Sequence, residues 1–297
     1  MTASVRTEIP RIAITGTAGE IGGRVATLLA EHGVAQRLAV PAARHAPRPA
    51  RADVVEIGGR ADRRGLTAAL LGIDTFLLLP GDDGFGAARD ERPAIQAALE
   101  AGVRRVVLLS ALGADPDATW DAARQHWLIE RDLQDSGMAW TIARAGLPID
   151  LLPQLVTVDG EIAGPAADGR VSAVSRDDLA RALVALVLGD GHDGRVYDLT
   201  GSESLSLGDV AAVMAHSTRQ SVRYRPTTRE EASAALATRY DDPAERSSRL
   251  SIFGAIATGE LGVTTGALAG LLGEAPTTLP QWLRQYPFAL VHVGPLF

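Results

Sequence analysis

His126 and Glu130 lie four residues apart in the 297-residue chain, within a stretch, Thr119–Ser136, whose apolar spacing predicts a helix. Four residues is close to one helical turn, so both side chains share a face. A histidine there could donate a proton near neutral pH, and the glutamate could orient it and raise its pKa. A blander alternative stays open, in which the two satisfy each other beside a sheet edge or cap a loop. No further His or acid clusters with them, so no metal site is expected. The chain has no cysteine, which excludes thiolate chemistry, disulfides and Cys-based metal sites. Gly81-Asp-Asp-Gly-Phe-Gly lacks the alternating acids and closing Glu of a calcium loop. There is no Gly-x-Ser-x-Gly elbow and no Walker-type loop.

The second chemical signal is Thr15-Gly16-Thr17-Ala18-Gly19-Glu20-Ile21-Gly22, which follows one predicted strand and opens a predicted helix. Gly16 permits a tight turn, Gly19 lets the backbone approach a pyrophosphate, and Gly22 lets the helix pack closely. The N–H groups of the first helical turn then face the phosphate. A tight turn with no ligand would favour the same glycines. A carboxylate after the second strand would bind the ribose 2′-OH of NAD, and an arginine the 2′-phosphate of NADP. Pro41 follows Val40, and Arg44, His45 and Arg48 come slightly later. With no acid present NADP is favoured over NAD, although NAD stays open and these basic residues read equally well as a solvated loop.

The elements that must position these residues alternate. Strands are predicted at Arg11–Thr15, Arg37–Val40, Val54–Ile57, Thr75–Leu79, Arg105–Ser110, Trp140–Ala143 and Arg195–Leu199. Helical patterns lie between many of them, one ending at Gly33 and one opening at Ser175-Arg-Asp-Asp178, which has the form of a capping box. The strands are nearly continuous apolar runs, as in parallel sheets covered on both faces. This predicts an α/β Rossmann fold, a doubly wound parallel sheet. Beyond Gly201 helices dominate, apart from Ser221–Tyr224, and predict a smaller, mainly helical C-terminal substrate lobe. Residues 1–147 and 168–200 are assigned to the dinucleotide-binding domain, and 148–167 and 201–297 to the lobe.

Composition bounds the partners. Hydrophobic residues make up 46% and charged residues 22%, as in globular proteins, and the formal charge of −7 argues against a broad grip on nucleic acid or anionic lipid. No apolar run approaches the ~18 residues of a spanning helix, so no membrane is expected as a partner and a cytoplasmic location is the default. The apolar segment Phe288–Phe297 is expected to pack on the body or on a partner. Trp120, Trp127, Trp140 and Trp282 read as core or pocket walls, and Trp127, next to His126, as a wall for an aromatic substrate.

Ser110-Ala-Leu-Gly113, Ala97–Ser110, His126-Trp-Leu-Ile-Glu130, Thr141-Ile-Ala-Arg144, Arg176–Ala180, Gly194–Gly201 and Pro276–Leu279 occur in an order and spacing that resemble the NmrA-like atypical short-chain dehydrogenases. The resemblance spans Arg11 to about Leu283 and is nearest to the NAD(P)H-dependent quinone oxidoreductase branch. It implies that Thr15–Ile21 bind the pyrophosphate and that Leu79, Pro80 and Gly81 lie along the ribose. It also implies that Ser110, Arg144 and Arg176 border the cofactor. Gly146, Leu147 and Ile149, with Trp127, then belong to the substrate pocket. The chain departs from that pattern where Pro41 replaces an arginine, Gly59 an aspartate, and the segment Pro80–Gly86 a Ser-containing loop. It also lacks the Tyr-x-x-x-Lys pair of classical short-chain dehydrogenases. Hydride transfer to a quinone does not require such an acid, because the resulting oxyanion can take its proton from water. The expected function is hydride transfer from NAD(P)H to a quinone, enone or related carbonyl, with an aromatic or quinone-like small molecule as partner and a homodimer as an open assembly. A non-catalytic dinucleotide sensor, or an isomerase or epimerase on the same fold, are the alternatives.

Overall fold

The computed structural model describes residues 11–59, 61–80 and 91–293. In chain order the elements of the first half are β1 (Ile12–Ile14), α1 (Glu20–Glu31), β2 (Gln36–Val40), β3 (Ala52–Glu56), α2 (Arg63–Leu70), β4 (Thr75–Leu78), α3 (Arg92–Glu100), β5 (Arg105–Ala111), α4 (Asp121–Gln134) and β6 (Ala139–Ala145). The second half contains β7 (Glu161–Gly164), β8 (Arg170–Val171), α5 (Arg176–Leu188), β9 (Arg195–Leu199), β10 (Leu205–Ser206), α6 (Leu207–Thr218) and β11 (Arg223–Pro226). Helices α7 (Arg229–Ala237), α8 (Pro243–Ala257), α9 (Ala267–Leu272) and α10 (Leu279–Gln285) complete it.

Seven strands form one sheet in the order β3-β2-β1-β4-β5-β6-β9, and each neighbouring pair is parallel. This is the doubly wound Rossmann-type fold expected from the sequence. The chain steps outward from β1 to β3, returns to β4 on the other side of β1, and continues outward. The carboxyl ends of β1 and β4 therefore flank the switch point where such sheets form their ligand crevice.

Helix periodicity decides what covers the sheet. Val25 and Leu29 of α1 pack with Leu179 and Leu183 of α5 on one face, while Leu66 and Leu70 of α2 and Leu133 of α4 pack with Phe76 on the other. A third cluster, including Trp120, Leu151, Leu207, Met214, Ile252 and Trp282, joins the C-terminal helices to the start of α4. Gly33 follows α1 in a left-handed conformation, with φ +72°, as a helix-ending glycine does.

Two local expectations change. Ser175 caps α5 by accepting from the Asp177 N–H, but no capping box closes, because the Asp178 carboxylate turns to accept from Thr277 N–H at 2.6 Å. The second half also contains short strands with no alternation to reveal them: β7 pairs in parallel with β11, which overlaps the strand signal at Ser221–Tyr224, and β8 pairs antiparallel with β10.

Helix α9 lies in the segment assigned to the smaller lobe, yet its Leu268 is fully buried in the cluster formed by α1 and α5. Leu268→Ala is expected to lower stability by about 2–5 kcal/mol, as for other buried leucines, measured by denaturant unfolding. A cost within ~0.5 kcal/mol would mean α9 is not part of the sheet-side core.

Among the described residues, no helix is long and apolar enough to cross a membrane, and no group of three or more His, Asp or Glu is placed to hold a metal ion.

Candidate functional site

A cleft of about 540 Å³ runs across the carboxyl ends of the strands. One end is apolar, formed by Ala39 and Val40 at the end of β2, by Pro41 after it and by Ile57 after β3. The glycine loop lies in the middle. The other end is bounded by Leu79 and Pro80, by Ser110 of β5, and by Gly146, with Trp120, His126, Glu91 and Arg176 completing the wall.

The loop is shaped by contacts that tolerate no Cβ. Gly16 takes φ +70°, and Gly19 N–H donates to the Gly16 carbonyl at 3.0 Å. A Cβ on Gly22 would stand 2.4 Å from Gly16 O and 2.7 Å from Thr17 Cα, so α1 packs directly on the loop backbone. Gly19 is the N-cap of α1 and supplies no side-chain cap, which leaves the first-turn N–H groups without a side chain competing for them. Thr15 Oγ1 accepts from Leu79 N–H at 3.3 Å, tying the loop to the end of β4. Thr17 Oγ1 is buried without a hydrogen-bond partner among the described residues. A cradle of backbone donors with an unpaired hydroxyl suits a pyrophosphate.

His126 and Glu130 do not form the expected pair. Both are buried on α4, but the Glu130 carboxylate accepts from Ser110 Oγ at 2.5 Å, Arg144 Nε at 2.9 Å and Arg144 Nη2 at 2.6 Å. This ion pair raises the Arg144 pKa, chiefly through the hydrogen bond to Glu130. His126 lines the cleft with Nδ1 buried and unpartnered among the described residues, and burial pushes its pKa down to about 4. The expected upward shift is thus reversed: the charged imidazolium loses its hydration, and the carboxylate that would compensate is engaged elsewhere.

Other candidates divide in the same way. Gly16 to Gly22, Leu79, Pro80, Ser110, Gly146 and Arg176 all line the cleft. Arg176 also pairs with Asp150. Arg144 is held by Glu130 and is not among the lining residues. Arg44 is exposed on the turn Ala43–His45, where its Nε meets His45 Nε2 at 3.2 Å, also outside the lining. Leu147 and Ile149 are core residues, because the chain turns inward after Gly146. Trp127 is half-buried on α4 and stands outside the cleft wall. Gly81 and the rest of the segment to Gly86 lie outside the described residues.

Two further residues line the cleft: Trp120, as its reading as core or pocket wall expected, and Glu91, which carried no sequence signal. Trp120 immediately precedes α4, and its indole Nε1 is buried without a partner among the described residues. Its loop is fastened by Thr119, which donates its N–H and hydroxyl to Glu260, and by Asp121 N–H, which donates to Ser251 Oγ at 3.0 Å. Glu91 immediately precedes α3.

Residues 16–190 match the model of a family described as NAD(P)H-binding. The chain belongs to this NAD(P)H-binding family. It is 33% identical to an NAD(P)H azoreductase of Xenophilus azovorans, over 76% of this chain and 80% of the relative. It is 30% identical to quinone oxidoreductase 2 of Escherichia coli, again over 76% and 80%. The structure of the Escherichia coli NADPH-dependent quinone oxidoreductase with NADPH superposes with a TM-score of 0.85, at 26% identity, over 93% of this chain and 99% of that one. The resemblance read from the sequence therefore holds at family level, and the chain is an NAD(P)H-dependent oxidoreductase. The glycine cradle and the unpaired Thr17 hydroxyl fit the family's cofactor.

Proposed function

We propose that the chain reduces a planar, conjugated acceptor, a quinone, enone or related carbonyl, bound against Trp120 and His126. The observation that carries this reading is the pair of unpartnered buried polar atoms, Trp120 Nε1 and His126 Nδ1, on residues lining the cleft beyond Ser110. An unsatisfied buried polar group costs about 1–3 kcal/mol, so a bound acceptor that paired with these two would recover that cost. Trp120 offers an N–H donor, and a neutral imidazole offers one N–H, which suits an acceptor carrying oxygen or nitrogen lone pairs.

The glycine loop, residues 16–22, would hold the pyrophosphate, with the adenosine toward Val40 and Pro41. That direction leaves the nicotinamide against the ends of β5 and β6, beside Ser110 and Gly146. Arg176, close enough to Glu20 to influence its carboxylate, would face the phosphates. A reduced nicotinamide supplies the hydride when bound. His126 and Trp120 orient the acceptor and stabilise the negative charge that develops on it, and the apolar wall excludes water. The names of the two relatives, an azoreductase and a quinone oxidoreductase, support an electron-poor conjugated substrate. With Arg44 outside the cleft lining, both NADPH and NADH are expected to serve.

The test is loss of NADPH or NADH absorbance with purified protein and a panel of quinones and enones. Turnover with at least one quinone is expected. Tight dinucleotide binding with no turnover across the panel would overturn the reductase reading and favour a dinucleotide sensor.

A further inference from the structure

Ser110 and Arg144 are register partners on the adjacent parallel strands β5 and β6, so their side chains rise from the same face of the sheet. Glu130 descends from α4 between them. The Ser110 hydroxyl donates to the carboxylate at 2.5 Å, and two guanidinium nitrogens complete the acceptor's coordination. Glu130 and Ser110 are both buried, and the Arg144 end is largely covered. A hydroxyl carries one proton and two lone pairs. With that proton committed to a carboxylate, the hydroxyl of Ser110, a residue of the cleft lining, can only accept a further hydrogen bond. This differs from the donor expected of a serine that polarises a carbonyl.

We propose that Ser110 accepts a hydrogen bond from the carboxamide N–H of a bound nicotinamide, and that Glu130 and Arg144 are positioning residues acting through it. The inference rests on the cofactor direction proposed above. The carboxamide is a donor group built into every nicotinamide dinucleotide, and Ser110 lies at the strand end that direction assigns to the nicotinamide. Trp120 and His126 then supply donors toward the substrate, while Ser110 supplies an acceptor toward the cofactor. Two opposite hydrogen-bonding characters in one cleft would distinguish the ring face from the acceptor.

The test compares two ligands by isothermal titration calorimetry without any turnover: NADP⁺ and its 3-acetylpyridine analogue, in which a methyl group replaces the carboxamide NH₂. Wild-type protein is expected to bind NADP⁺ about tenfold more tightly, the equivalent of one hydrogen bond. Ser110→Ala should bind the two with equal affinity, through loss on the NADP⁺ side alone. Glu130→Gln should keep the preference, because an amide oxygen at the place of Oε1, which accepts from both Ser110 Oγ and Arg144 Nε, still takes the serine proton. Glu130→Ala removes that acceptor and releases the serine proton to the cleft, so the preference should reverse toward the acetylpyridine compound, a change that general loosening of the fold would not produce. Equal binding of both ligands by the wild type, or tenfold discrimination surviving in Ser110→Ala, would overturn the proposal while leaving dinucleotide binding intact. Failure of the wild type to bind NADP⁺ or NAD⁺ at all would instead overturn the cofactor reading on which it rests. Ser110→Ala leaves the Glu130–Arg144 ion pair in place, so the comparison stands even if Glu130→Ala does not fold.

Discussion

Gly22→Ala is expected to weaken NADP⁺ binding about 100-fold while the neighbouring Gly23→Ala leaves it unchanged. The two glycines are consecutive in α1, and both substitutions should favour the helix by up to about 1 kcal/mol on propensity alone. Their surroundings differ. A Cβ at Gly23 would meet Thr17 O at 3.5 Å, an ordinary contact. One at Gly22 would meet Gly16 O at 2.4 Å, Thr17 Cα at 2.7 Å and Gly16 C at 2.8 Å. All three are backbone atoms, so no side chain can rotate away. Either α1 retreats or the loop moves, and both displace the first-turn N–H groups from Thr17. A misplacement of about 1 Å in a preorganised site can cost 100-fold. Overpacking should add about 1–3 kcal/mol of destabilisation. Calorimetric titration with NADP⁺, paired with thermal melts, reads both effects. Normal affinity in Gly22→Ala would show that the loop is a tight turn with no ligand.

How far the sequence reveals this molecule depends on the range of the interaction. The glycine loop and the sheet strands are legible because they are local: an apolar run of three to seven residues, a glycine-marked turn, then a change of period. The small strands β7, β8 and β10 are not. Their partners lie tens of residues away, and a two-residue strand such as Arg170–Val171 has no periodicity of its own. The return of α9 to the sheet is hidden for the same reason, since apolar helices pack equally well on either neighbour. The site shows the same limit. Helical spacing puts His126 and Glu130 on one face, but a shared face does not make them partners. A buried carboxylate seeks the nearest cation, and Arg144 brings one from β6. The signal that was available is Arg144 itself, an arginine inside the otherwise apolar run Thr141-Ile-Ala-Arg-Ala145. At that position a charge requires a buried partner. Trp120 was legible as core or pocket wall, but which of the two awaited the fold of the Thr119–Asp121 turn, and it is both.

His126→Phe is expected to lower kcat with a quinone by about 100-fold while keeping or raising stability, and these opposite signs separate a functional histidine from a structural one. Phenylalanine keeps an aromatic ring in a buried site and removes the unpartnered Nδ1, so the folded state loses a polar group it had left unsatisfied. Loss of one donor to a developing oxyanion typically costs 100-fold or more. The pH dependence has a definite sign. His126 has a folded pKa of about 4 against an ordinary 6.5, so below pH 6.5 the unfolded chain binds the proton that the folded chain refuses. Stability is therefore full above pH 6.5 and falls as pH drops toward 4, by about 3 kcal/mol from this group. Denaturant unfolding at pH 7.5 and pH 4.5 should show that loss in the wild type and lack it in His126→Phe. Between pH 5.5 and 8 the imidazole stays neutral, so kcat should show no inflection near 6.5. A bell or shoulder there would mean that His126 titrates in the working enzyme and transfers a proton. A flat profile with the 100-fold loss in His126→Phe would identify a neutral hydrogen-bond donor, whose usefulness depends on the same burial that destabilises the protein in acid.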